Sequence, residues 1–69
     1  MDAETKAEVC RLLIDLARIK ERMAKRMKEF ATARDHLLIE PIYANGARVH
    51  LEQASRIREM VEKLRSEEE

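Results

Sequence analysis

From Ala3 to Leu38 the chain contains nothing that breaks a helix: no proline, no glycine and no cluster of turn residues. Within that stretch apolar positions recur at alternating steps of three and four: Val9, Leu12, Leu16, Ile19 and Met23, then Phe30, Ala33 and Leu37, with Arg26 interrupting the row. Such stepping keeps every position on one face of a helix. Leu13, Met27 and Leu38 flank the row and widen it to the stripe of a bundle helix. Arg26 can lay its aliphatic stem along apolar surface and keep its guanidinium in water. The spacing therefore predicts a first helix over residues 3–38. Thr5-Lys6-Ala7-Glu8 reads as a capping box for its start, with Asp2 as an alternative cap one turn earlier. Arg34 and His36 would place positive charge at its last turn, where it complements the helix dipole.

Pro41 ends that helix, because proline has no N–H to donate and pushes the preceding residue toward extended geometry. Asn45-Gly46 is a second turn signal. Two readings of residues 39–46 follow. In one they form a turn, with the second helix starting at Ala47. In the other, Pro41 occupies the first turn of the second helix, a position it favours, and Gly46 is tolerated inside at a cost of about 1 kcal/mol. The early start is preferred, since Tyr43 is in phase with the stripe that follows. That stripe is Ala47, His50, Ala54, Ile57, Val61 and Leu64, with Leu51 and Met60 beside it, and it predicts a second helix to about residue 66. Glu21/Lys25, Glu52/Arg56 and Glu59/Lys63 are acid-before-base pairs at helical spacing. A fold-back centred near Tyr43 would set Glu67, Glu68 and Glu69 against Arg18, Lys20 and Arg22, and His36 near His50. The second helix would then run out near Lys20 and leave the first residues of the chain without a neighbour. One Pro-kinked helix spanning the chain is the competing architecture.

Sixty-nine residues form at most one domain, expected here over residues 1–69. A lone core of this size seldom supplies more than about 3–5 kcal/mol, so small proteins add a disulfide, a metal or a second subunit. Cys10 is the single cysteine, which excludes an internal disulfide, and no Cys/His cluster has zinc-finger spacing. Self-association is the remaining means of stabilisation. The expected fold is therefore all-α: a two-helix antiparallel hairpin with a long first and shorter second helix, completing a four-helix bundle by dimerisation. Charged residues make up 41% of the chain, yet Lys+Arg and Asp+Glu are equal at 14 each. Global charge therefore points neither to nucleic acid nor to a membrane. No apolar run reaches membrane-span length, and no signal-peptide pattern opens the chain. With a free thiol, those features lead to the expectation of a cytoplasmic protein.

Chemistry finds little purchase. His36 and His50 lack the Glu-x-x-His pattern of bundle metal sites, so no metal or cofactor is expected. Cys10 sits among acidic residues that do not favour a reactive thiolate. Arg11-Leu12-Leu13-Ile14-Asp15 and Pro41-Ile42-Tyr43 look like fragments of the all-helical chorismate mutases. Their spacing differs from that family's, and Arg48-Val49 stands where an Arg-Glu pair would be, so no site is carried across. The basic run Arg18, Lys20, Arg22, Lys25, Arg26 and Lys28 could contact phosphates, although Glu21 and Glu29 interrupt it and no stacking aromatic accompanies it. Met23, Met27 and Met60 suit ordinary gap-filling in a helical core, or a surface that accepts more than one packing partner. The expected function is a non-enzymatic helical protein–protein interaction module: a self-associating adaptor, small chaperone or regulatory subunit. Its interface is expected at Val9, Leu12, Leu13, Leu16, Ile19 and Met23, with a homodimer or another protein as partner. A small nucleic-acid-binding regulator using the basic run is the alternative.

Overall fold

The computed structural model describes residues 1–33 and 39–67, with side chains for residues 1–30 and 41–67. The expected last turn of the first helix, with Arg34, His36, Leu37 and Leu38, lies outside the described residues. So do the approach of His36 to His50 and the contacts expected of Glu68 and Glu69.

Two helices make up the fold, α1 (Ala3–Ala33) and α2 (Ile39–Ser66). Asp2 is the cap of α1: its Oδ1 accepts the Thr5 N–H at 2.7 Å, and its carbonyl accepts the Lys6 N–H at 2.9 Å. The hydrogen bond from Thr5 holds the Asp2 carboxyl below its ordinary range. Of the two candidate caps, the earlier one is used, which satisfies orphan donors of the first turn. At the C-terminal end of α2 the Ser66 hydroxyl and the Glu67 N–H both donate to the Lys63 carbonyl. Lys63 and Arg65 bring positive charge to the last turn of α2.

Residues 39–46 are the opening turns of α2 rather than a loop. Pro41 falls in the first turn, where its missing N–H would have found no helical partner. Gly46 adopts ordinary helical backbone with no positive φ. Its role is close approach: a Cβ built on it would come within 3.0 Å of both Sδ and Cε of Met27. The glycine lets the Met27 thioether lie directly on the α2 backbone.

The helices are antiparallel, and their register differs from the expectation. Phe30 stacks on Tyr43 with ring centroids 4.7 Å apart, Met27 meets Gly46, and Arg58 pairs with Glu21. Further along, Arg65 shares a groove with Cys10 and Ile14, and Glu67 one with Ala3 and Lys6. Glu67 therefore lies by the start of α1 and not by Arg18–Arg22. Tyr43 packs opposite Phe30 and so lies well past the centre of the fold-back; α2 therefore reaches further back along α1 than expected, and the N-terminal overhang expected of α1 is absent. The helices have 31 and 28 residues, about 46 and 42 Å at 1.5 Å per residue, in a rod of 51 × 14 × 11 Å.

The seam between them is built from small side chains. Among the described residues, Cys10, Ala17 and Ala24 of α1 and Ala47, Ala54 and Val61 of α2 are the buried apolar ones, with Ala17 and Ala47 at 0% exposure. Each set recurs every seven residues, the repeat of two helices that keep one edge in contact. Small residues there allow close backbone approach and forgo bulk. Lys6, Leu13, Ile14, Lys20, Glu21 and Met27 on α1, and Tyr43, His50, Ile57 and Leu64 on α2, close over the seam half-buried. The α2 stripe read from sequence is the face turned to α1. The stripe of large residues on α1 is not turned to α2.

Candidate interaction face

Cys10, Ala17 and Ala24 fix which side of α1 is used by the hairpin. At 100° per residue, Leu16, Met23, Leu12, Phe30 and Ile19 lie from one quarter to nearly halfway around the helix from that seam. They are accordingly exposed: Leu12 at 62%, Leu16 at 41%, Ile19 at 44%, Met23 at 43% and Phe30 at 37%. Val9 and Leu13, between this stripe and the seam, are half-buried. Of the expected interface residues, then, Leu12, Leu16, Ile19 and Met23 form an open row, and Val9 and Leu13 its inner edge.

Two antiparallel helices are related by a local two-fold axis, so corresponding flanks lie on the same side of the hairpin. Glu21 and Arg58 mark one such flank. The Arg58 guanidinium donates to Glu21 from Nη2 at 2.8 Å and from Nε at 3.1 Å. These hydrogen bonds hold the Glu21 carboxyl below its ordinary range and raise Arg58 above its own. Ile14, Ser55, Glu59 and Glu62 share a groove with Arg58. The opposite flank gathers the α1 stripe with exposed Met60 and Ile42 and half-buried Ile57 and Leu64 of α2. One long side of the hairpin is polar and closed by a fork-shaped ion pair. The other is apolar and open.

His50 belongs to the seam edge on the apolar side. Its Nδ1 is buried without a hydrogen-bond partner. Among the described residues no group of three or more His, Cys, Asp or Glu side chains is arranged to hold a metal. No described helix is long and apolar enough to cross a membrane.

The basic run of α1 does not form one surface. Arg18, Arg22 and Lys25 line a groove shared with Asp15, Ile19 and Glu21, and Arg26 lies with Ile19, Arg22 and Met23. Lys20 is half-buried on the seam side. Lys28 points along yet another direction of the helix by its position and is engaged in an interaction. Two of the three acid-before-base pairs are replaced: Glu52 accepts from Arg48 at 2.6 Å, and Glu21 takes the cross-helix Arg58. The signal missed in the sequence is the seven-residue repeat of small side chains, which identifies the seam and thereby frees the larger stripe. No family model matches the chain, and no similar curated protein or solved structure was found.

Proposed function

We propose that the protein is a non-enzymatic helical interaction module, which uses one side of α1 to hold its own α2 and presents a second, larger apolar side for docking. The observation that carries this reading is the open row Leu12, Leu16, Ile19 and Met23. Burying such a side chain contributes about 1.5–3 kcal/mol, and contiguous exposed apolar surface marks an interaction site. Among the described residues the buried set holds nothing larger than valine, so docking on the open side would supply stabilisation that this seam provides only sparingly. A second hairpin laid on this face completes a four-helix bundle, the closed arrangement for two such elements. Met23 and Met60 on the face have flexible thioethers that adapt to a packing partner. A self-associating adaptor or regulatory subunit fits these features.

Sedimentation velocity at low micromolar concentration tests the reading. A dimer or larger assembly is expected, and Leu16→Glu with Met23→Glu should give monomers or unfolded chains. An unmodified protein that stays monomeric, with a fold and thermal stability that the double variant leaves unchanged, would overturn it.

A further inference from the structure

We infer that the docking face is covered by the same face of a second copy with the two α1 helices antiparallel, an inference that rests on the docking reading above. Area is the first observation. A compact monomer of 8.1 kDa exposes about 4,500 Å², and this chain exposes 5633 Å². The excess, roughly 1,100 Å², exceeds the roughly 800 Å² that each partner contributes to a standard interface.

Charge sets the orientation. The first half of α1 carries Asp2, Glu4, Glu8 and Asp15 against Lys6 and Arg11, whereas the second half, from Arg18 to Glu29, carries six cations against Glu21 and Glu29. A parallel pair would lay Arg22 and Arg26, the cations that border the open row, beside the same two of the partner copy. An antiparallel pair lays each acidic half beside a basic one. α2 mixes its charges along its length and imposes no contrary preference.

Register follows from interleaving the stripes. With Leu16 of one copy beside Ile19 of the other, Leu12 comes beside Met23, and the layers alternate as in antiparallel coiled coils. Along the outer rim, Asp15 then faces Arg22 of the partner copy, and two-fold symmetry makes the pair twice. Glu8 and Glu29 meet at the ends of the same rim as like charges. The contrast between the two halves outweighs that terminal pair, which is solvated and screened.

Cysteine cross-linking in a Cys10→Ala background tests the arrangement. Chains carrying Leu12→Cys, mixed with chains carrying Met23→Cys, should form a mixed disulfide dimer, and neither chain alone should link to itself. A charge exchange adds an independent readout. Asp15→Arg alone or Arg22→Asp alone should weaken association about tenfold, and mixing the two variants should restore it. Self-linking of Leu12→Cys, or no recovery on mixing, would overturn the antiparallel pairing. If the unmodified protein still sediments as a dimer in that case, the docking reading stands and the orientation falls. A monomeric unmodified protein would remove the pairing, and the docking reading with it if Leu16→Glu with Met23→Glu also left fold and thermal stability unchanged.

Discussion

Glu21 shows how a side chain placed for local pairing is claimed by tertiary structure. Its spacing to Lys25 suits a pair within the helix, yet Arg58 offers two donors in a fork that matches the carboxylate. That contact lowers the Glu21 pKa in the folded chain. The stabilising contribution is therefore fully present above the titration of an ordinary glutamate, near about 4.3. It is lost as pH falls from there through the lowered folded value. Glu21→Gln should be modestly less stable than the unmodified chain at pH 7, and the difference should shrink as the pH is lowered to 3. Urea midpoints at the two pH values check this; a difference that persists unchanged at pH 3 would show that the carboxylate charge is not what Arg58 recognises. Gly46 makes a related point. Beside Asn45 it reads as turn chemistry, but the requirement it meets is space for Met27 on a helix surface. His50, with Nδ1 buried and unpartnered, is an imperfect fit to a seam that otherwise takes apolar side chains.

At the scale of elements, the helical character of both segments and their antiparallel pairing were legible from periodicity and from Pro41. The α2 face was legible too, because Ala47, Ala54 and Val61 share a stripe with Ile57 and Leu64. The α1 face was not. Hydrophobic periodicity weights residues by bulk, so Leu12, Leu16, Ile19 and Met23 defined the stripe while Cys10, Ala17 and Ala24 contributed little to it. Packing inverted that order, since two helices joined by a short connection come closest where side chains are smallest. The register was missed for a second reason. Centring the fold-back near Tyr43 placed it too late in the chain, and this brought the acidic tail to Arg18–Arg22 and left α1 an overhang that does not exist. Leu12, Leu16 and Ile19, which the overhang would have left bare, are exposed nonetheless, as one side of a paired helix. A large side chain in the seam should accordingly be costly. Ala17→Leu is expected to destabilise by about 1–3 kcal/mol through overpacking, measured by urea denaturation at fixed protein concentration. A stabilised Ala17→Leu variant would show that the seam holds unfilled space and is not the close contact inferred from its burial.

For the whole molecule, the account comes down to a rod with two unlike long sides. The polar side is closed by the Glu21–Arg58 pair, whereas the apolar side runs along α1 and takes in Met60 and Ile42 of α2. The small-residue seam orients the chain into a hairpin, and on the proposed reading docking on the open side would contribute the larger share of apolar burial. Folding and association are then linked, because a partner that binds only the folded chain stabilises it by mass action. Thermal unfolding followed across a hundredfold range of protein concentration tests that linkage most directly. The account predicts a midpoint that rises steadily with concentration, and one that no longer does so in the Leu16→Glu/Met23→Glu variant. A midpoint independent of concentration in the unmodified protein would contradict it.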